Sequence, residues 1–225
     1  MPANAAILVA DRSGSMSNIL DNAVAGINEY ISGIRKVADL TFTMLRFDTI
    51  STDVVHRRIP IADVPEITKT DLEPRGGTPL IDALCIAITS AKDHYKDDDR
   101  VVIVANTDGF ENASREYKLD DLHALIKERR AVGWQFVFLG ASIDAYRDAT
   151  KFGINTGSTM SYDAKNRGAT LRASSGLSGQ SMSYYSTGAD INFSDEDKRA
   201  AGDAFIPADK PGTKTAKSLI DRVKL

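Results

Sequence analysis

Residues 6–17, AILVADRSGSMS, join an apolar run to a cluster of small oxygen-bearing side chains. The apolar part is typical of a β-strand that is covered on both faces. Asp11, Ser13 and Ser15 follow it at alternate positions, and Gly14 allows a tight turn that points the serines back towards the strand end. Asp and Ser are also common helix caps. This stretch therefore predicts either an ordinary helix N-terminus or a group of oxygens gathered around a ligand.

The rest of the chain alternates between apolar strands and amphipathic helices. Further strands are predicted at 40–47, 52–61, 101–106 and 134–141, the second of them weaker and at an edge. Helical segments are predicted within 17–38, 80–95, 114–133 and 144–153. Strands that alternate with helices imply right-handed βαβ units and a mostly parallel sheet, in which ligands bind at the carboxyl ends of the strands.

Two further loops carry oxygen-bearing side chains to the same edge of this sheet. In RGGTPLIDAL, residues 75–84, Thr78 follows a double glycine, and in NTDGFEN, residues 106–112, Asp108 follows a buried strand. Each has an ordinary interpretation, Thr78 as a helix cap with Pro79 at the first helical position and Asp108 as a turn residue. Taken together, the three loops present hard oxygen ligands without a nearby His or Cys, a set that suits Mg²⁺ or Mn²⁺.

The combination of D-x-S-x-S after the first strand, Thr after a Gly-Gly loop and T-D-G after the fourth strand resembles the metal-ion-dependent adhesion site of von Willebrand factor type A domains. The resemblance covers roughly residues 4–163, and TDGFENAS is more similar to the stand-alone bacterial and phage members than to the extracellular animal ones. It implies that the metal is bound, directly or through water, by Asp11, Ser13, Ser15, Thr78 and Asp108. It also implies that the metal accepts an Asp or Glu carboxylate from a partner protein.

The same resemblance implies a Rossmann-like, doubly wound α/β fold with helices on both faces of the sheet and one short antiparallel edge strand at 53–59. It divides the chain into a type A domain, 1–163, and a Ser/Gly-rich C-terminal extension, 164–225, with a helix and a polar tail. Within the extension, a helix of small residues and a loop are both compatible with the composition. The function implied is a metal-dependent protein-binding module in complex assembly, not an enzyme.

Composition excludes several other classes of protein. The 225 residues carry a net charge of −3 and no long basic block, which disfavours nucleic-acid binding. Cys85 is the only cysteine, so no intrachain disulfide can form, as is typical of a reducing compartment. The start lacks a basic segment followed by a signal-length apolar run, and no stretch reaches the ~18 apolar residues of a membrane span. We therefore expect a cytoplasmic protein without a membrane anchor.

Two enzyme-like or nucleotide-binding alternatives fit the sequence less well. Asp11 after the first strand resembles the nucleophile of haloacid-dehalogenase phosphatases, which would make the protein a Mg²⁺-dependent phosphoryl-transfer enzyme. Position 13, however, is Ser where that family has a second acid, and no general base is evident beside the site. Neither a Walker A motif nor G-x-G-x-x-G after the first strand is present, which disfavours nucleotide binding.

Several residues near the motifs have two interpretations. Arg12 is predicted either to steer an acidic partner or to be a solvated loop charge. Glu111 and Asn112 are predicted to cap the helix that follows them rather than to contact a partner. Tyr184 and Tyr185 either pack the extension on the domain or present a binding surface.

Overall fold

The computed structural model describes residues 3–141 and 145–204. The strands are β1 (Asn4–Asp11), β2 (Leu40–Phe47), β3 (Thr52–Pro60), β4 (Arg100–Thr107), β5 (Gln135–Gly140) and β6 (Thr159–Ser161). The α-helices are α1 (Leu20–Ile34), α2 (Leu80–Lys92), α3 (Leu119–Ala131), α4 (Ala145–Lys151), α5 (Arg167–Thr187) and α6 (Asp195–Ala200). Short 3₁₀ turns cover Gly14–Asn18, Ile61–Asp63, Lys69–Leu72 and Thr156–Ser158.

The six strands form one sheet in the order β3-β2-β1-β4-β5-β6. β1 lies between β2 and β4 and runs parallel to both, and β5 and β6 continue the parallel arrangement. β3 is antiparallel to β2 and forms one edge of the sheet. The predicted doubly wound, mostly parallel sheet with an antiparallel edge strand is therefore confirmed. The chain reverses its direction of winding at β1, so the carboxyl ends of β1 and β4 border the crevice where such folds bind ligands.

Helices cover both faces of the sheet, as predicted, because alternate residues of β1 face opposite layers. One face of β1 belongs to a buried cluster with α1 and α5, and the other belongs to a second cluster with α2 and α3. The residues of β1 in the first cluster are Ala6, Leu8 and Ala10, and those in the second are Ala5, Ile7 and Val9. This two-sided burial explains why the strand reads as a continuous apolar run.

The segment after residue 163 forms a long helix, α5, that packs against α1 and the sheet. The Tyr185 hydroxyl donates a buried hydrogen bond of 2.9 Å to the Ala5 carbonyl, and the Tyr184 hydroxyl donates one of 2.8 Å to Gly133. Both tyrosines therefore pack the extension on the domain. The change in composition near residue 163 does not mark a separate core in the described residues, since α5 belongs to the same core as β1. The predicted polar tail, 206–225, lies outside the described residues.

Local signals at the helix ends agree with the sequence. Gly133 and Gly153 follow α3 and α4 with φ of 95° and 81°, a conformation that favours glycine. Ser194 and Asp197 form a capping box at the N-terminus of α6. Among the helices of the described ranges, none is both long and apolar enough to cross a membrane.

Candidate metal centre

The five residues of the predicted metal site lie at the carboxyl edge of the sheet, on three loops. Asp11 is the last residue of β1, and Ser13 and Ser15 follow it in the turn towards α1. Asp108 directly follows β4, the parallel neighbour of β1. Thr78 stands two residues before α2. The side chains of Asp11, Ser13 and Thr78 are buried, whereas Ser15 is exposed and Asp108 is half-buried, so the group is open on one side.

A chain of hydrogen bonds connects four of these residues. The backbone N–H of Ser13 donates to Asp11 Oδ1 at 2.6 Å, and the Ser13 and Ser15 hydroxyls lie 3.0 Å apart. The Ser15 hydroxyl in turn donates to Asp108 Oδ1 at 2.6 Å. These contacts fix the two serine hydroxyls between the two carboxylates.

The space beside Gly109 shows that Thr78 belongs to the same group. A Cβ atom placed on Gly109 would lie 3.0 Å from Thr78 Oγ1, 3.6 Å from Ser15 Oγ and 3.7 Å from Asp11 Oδ2. Oxygens from two loops therefore border one small volume beside Gly109 of the third loop, and glycine leaves it free of a side chain. Hydroxyl and carboxylate oxygens around such a volume are a donor set that fits Mg²⁺ or Mn²⁺.

The donor set is poor in negative charge. The described residues contain no group of three His, Cys, Asp or Glu side chains that could bind a metal. Within the described residues, the candidate set contains two carboxylates, that of Asp11 beside the volume and that of Asp108 hydrogen-bonded to Ser15, and its other donors are neutral hydroxyls. A divalent ion bound there would have room for a further anionic ligand from outside, because Mg²⁺ requires six oxygen ligands.

Burial makes both carboxylates harder to ionise. Burial raises the pKa of Asp11 to about 6, although hydrogen bonds from Thr107 and Ser13 act in the opposite direction. Burial also raises the pKa of Asp108, against the hydrogen bond from Ser15. A cation between the two groups would favour their ionised forms.

Thr107 is a residue of the site that the sequence analysis did not single out. Its hydroxyl donates to Asp11 Oδ2 at 2.6 Å and accepts a hydrogen bond of 3.1 Å from the backbone N–H of Gly109. It therefore orients the second oxygen of Asp11 and fixes the glycine that borders the site. Its position as the last residue of β4, beside the end of β1, is the signal that could have identified it.

Arg12 has neither of the roles predicted for it, because its side chain points inward. Its Nε lies 2.6 Å from Asp48 Oδ2 and its Nη2 lies 2.7 Å from Asp53 Oδ2. Asp48 is also buried and accepts a hydrogen bond of 2.8 Å from Arg75 Nε. Burial acts to raise the pKa of Asp48, but hydrogen bonds led by that from Arg75, together with the charge of Arg12, outweigh it and lower the pKa.

This ionic cluster connects the loop after β1 to the loop that carries Thr78. The backbone N–H of Arg75 donates to the Arg12 carbonyl at 2.8 Å, and that of Gly14 donates to Gly76 at 3.0 Å. The position of Thr78 relative to the serines is therefore fixed by main-chain contacts as well as by charge.

Glu111 caps the preceding α2 and not the following α3, and Asn112 contacts the loop just before α2. Glu111 Oε2 accepts a hydrogen bond of 2.8 Å from the backbone N–H of Ile81, in the first turn of α2. Asn112 Oδ1 accepts one of 3.0 Å from the backbone N–H of Thr78. Glu111 thus caps a helix, as predicted, but the helix is α2 and not α3. The sheet order places the loop after β4 against the N-terminus of α2.

Comparisons with known proteins relate the chain to several solved structures. No protein-family model matches it, and no curated protein matches it by sequence. The D319A mutant of the PilB minor pilin from Streptococcus sanguinis has a TM-score of 0.64 and 15% identity, over 82% of this chain and 63% of that one. A von Willebrand factor type A protein from Catenulispora acidiphila has a TM-score of 0.57 and 14% identity, over 80% and 43% of the two chains. The manganese-loaded TRAP protein from Plasmodium vivax has a TM-score of 0.54 and 15% identity, over 77% and 73%.

These likenesses show the fold. The six-stranded sheet and its surrounding helices have a von Willebrand factor type A-like α/β fold. The chain spans less than two thirds of the pilin and less than half of the Catenulispora protein.

Proposed function

We propose that the protein is a divalent-metal-dependent protein-binding module of the adhesion type. In this proposal Mg²⁺ or Mn²⁺ is bound by Asp11, Ser13, Ser15, Thr78 and Asp108. The metal then accepts an Asp or Glu carboxylate of a partner protein. The observation that carries the proposal is the convergence of Thr78, Ser15 and Asp11 oxygens on the volume beside Gly109.

The charge of the site supports an external carboxylate as the last ligand. With one oxygen from each carboxylate, two carboxylates and three hydroxyls provide five ligands, one fewer than the octahedral set that Mg²⁺ requires. The exposed Ser15 and the half-buried Asp108 mark the side from which a partner can approach. A manganese-loaded protein and a pilus adhesin from Lactobacillus rhamnosus are among the similar structures, which agrees with metal binding and adhesion.

The phosphatase alternative gains no support from the residues around Asp11. Position 13, where that family has a second acid, is a serine whose hydroxyl lies 3.0 Å from the Ser15 hydroxyl. A serine hydroxyl does not supply the carboxylate that would act there as general acid or base. We accordingly propose a binding role rather than catalysis, in complex assembly and in the cytoplasm.

Metal titration of the full chain tests the first half of this proposal. Calorimetry with Mn²⁺ and Mg²⁺ is expected to show binding at one site that Thr78→Ala weakens. Thr70→Ala, which removes the hydroxyl of an exposed threonine, is the matched control and should bind as the wild type does. At 100 times the dissociation constant, metal should also stabilise the wild type by about 2.7 kcal/mol. Equal Mn²⁺ binding by Thr78→Ala and wild type would contradict the assigned ligand set.

A pull-down from native lysate tests the second half. The wild type in Mg²⁺ is compared with the wild type in EDTA and with Thr78→Ala in Mg²⁺. A protein retained only by the wild type in Mg²⁺ is the expected result. If a protein were retained equally in Mg²⁺ and in EDTA, and equally by the wild type and Thr78→Ala, the site would not form the interface.

A further inference from the structure

Two apolar side chains stand exposed beside the candidate metal centre. Ile50 is 68% exposed and Phe110 is 45% exposed, the highest values among the large hydrophobic residues of the described ranges. Most other large apolar side chains of this domain are buried in its two core clusters. Exposed aromatic and aliphatic residues next to a polar site are typical anchors of a protein interface.

The sheet order places these two residues on opposite sides of the metal site. Ile50 lies in the turn between β2 and β3, and Phe110 lies in the loop after β4. β1, which ends at Asp11, is the strand between β2 and β4. Phe110 directly follows Gly109, the residue that borders the site oxygens, and Ile50 follows Thr49, which contacts Gly77 beside Thr78.

Both side chains are carried by loops that are fixed in place. The backbone N–H of Ile50 donates to Asp48 Oδ1 at 2.5 Å, and Thr49 Oγ1 accepts a hydrogen bond of 3.1 Å from the Gly77 backbone. On the other side, the guanidinium of Arg147 lies 5.6 Å from the centre of the Phe110 ring. Groups that are ordered before binding lose less conformational entropy when a partner docks.

We propose that Ile50 and Phe110 are specificity contacts for the partner segment. That segment carries an acidic residue and two apolar residues, one of them two positions before the acidic residue and the other two positions after it. This inference rests on the proposed function, because the acidic residue is the one that the metal accepts. The partner is thus a protein with an extended, alternating apolar–acidic–apolar segment.

The spacing follows from strand geometry. β2 and β4 are separated by two strand spacings, about 10 Å. In an extended peptide, residues two positions before and after a central residue are roughly 13 Å apart and point to the same side as that residue. Residues directly before and after it point to the opposite side. An alternating segment can therefore bring its acidic residue to the metal and its two apolar residues to Ile50 and Phe110 together.

Two synthetic peptides of identical composition, and a third that differs from the first at one position, test this inference. In the first, a central Glu has Leu at the second position on either side, and in the second, the two Leu residues are adjacent to the Glu. A third peptide replaces the central Glu of the first with Gln, and all other positions are Ser or Gly. Binding of fluorescently labelled peptides to the Mn²⁺-loaded full chain is measured by anisotropy.

We expect the first peptide to bind about fivefold more tightly than the second, the effect of a moderate interface anchor, and the Gln peptide to lose binding. Phe110→Ser and Ile50→Ser should each reduce this preference and leave Mn²⁺ affinity in calorimetry unchanged. Met182→Ser, at an exposed apolar residue on α5, is the matched control and should change neither quantity.

Two failures are distinguishable. Equal binding of the first and second peptides, with the Gln peptide still inactive, would overturn the apolar contacts and leave the proposed function intact. Binding that does not depend on Mn²⁺ or on the central Glu, or no binding of any peptide, would contradict the proposed function itself.

Discussion

The Ser15 hydroxyl donates a hydrogen bond of 2.6 Å to Asp108 Oδ1 and so joins two loops that are 93 positions apart in the chain. The loops meet because β1 and β4 are parallel neighbours whose carboxyl ends lie side by side. The same contact leaves a hydroxyl oxygen and a carboxylate at the open side of the site. Each loop contributes a separate part of the candidate donor set, so the site depends on both at once.

Removal of this hydroxyl tests whether the contact serves metal binding. We expect Ser15→Ala to weaken Mn²⁺ binding roughly 10–100-fold, because it deletes one ligand and leaves Asp108 without its orienting donor. Ser17→Ala removes the hydroxyl of an exposed serine in the same turn and should leave the affinity unchanged. Calorimetric titration of both variants and of the wild type measures the difference. Equal affinities for Ser15→Ala and wild type would contradict the role of Ser15.

The raised pKa of Asp11 predicts a pH dependence of the metal-free protein. Because its folded pKa of about 6 lies above the ordinary value of 3.8, the folded state holds this proton more tightly than the unfolded state does. Stability therefore falls as the pH rises from about 4 to about 6, by an amount on the order of 3 kcal/mol from this group. Saturating Mg²⁺ should reverse the fall, since a cation favours the ionised carboxylate.

Urea unfolding in EDTA at pH 4 and pH 7 measures this effect. The free energy of unfolding of Asp11→Asn is compared with that of the wild type at each pH, because the amide does not titrate. We expect the variant to gain stability relative to the wild type as the pH rises. If the free energies of unfolding of the variant and the wild type differed by the same amount at both pH values, the titration of Asp11 would not contribute to the pH dependence of stability.

The buried ion pair between Arg12 and Asp48 predicts a large effect on stability. Arg12→Met leaves the Asp48 carboxylate buried with less compensation, and the loss of one partner of a buried pair typically costs about 3–5 kcal/mol. Arg57→Met, at an exposed position on β3, should change the free energy of unfolding by less than about 0.5 kcal/mol. Denaturant unfolding at neutral pH measures the free energy of unfolding of both variants and of the wild type. A similar small effect of both substitutions would show that the pair contributes little.

Two glycines offer a matched test of how α5 packs on α1. A Cβ on Gly33 of α1 would lie 2.4 Å from Ser178 Cβ, so Gly33→Ala forces the helices apart and should destabilise the protein by about 1–3 kcal/mol. Gly179 of α5 has nothing within 4 Å of the position that a Cβ would take, and Gly179→Ala should stabilise the helix by about 0.5–1 kcal/mol. Thermal unfolding of the two variants should therefore shift in opposite directions. A stabilising Gly33→Ala would mean that the helices are not in close contact.

The sequence by itself determined where the site lies in the fold, because the residue patterns that predict a strand and its end are local in the chain. A continuous apolar run marks β1 as a strand covered on both faces, and the polar residues at its end are fixed by covalent sequence to the carboxyl edge. The same reasoning applies to Asp108 after β4, whereas the loop with Thr78 precedes α2 and is held to the loop after β1 by the main-chain contacts of Arg75 and Gly76. Because β1 and β4 are parallel neighbours, the two loops that follow them meet at one edge of the sheet. The fold and the shared edge of Asp11 and Asp108 could therefore be anticipated without coordinates, whereas the five-residue ligand set is what the resemblance to type A domains implies.

Only the tertiary structure decided which distant groups those loops contact. Arg12 points inward because Asp48, from the turn after β2, is buried beside it, and Glu111 caps α2 because the loop after β4 reaches that helix. The Ser-rich α5 is a helix because small side chains let it approach Gly33 of α1, which composition does not reveal. Local sequence encodes strand, turn and cap propensities, whereas the partner of a charge or a helix face depends on which segments the folded sheet brings together.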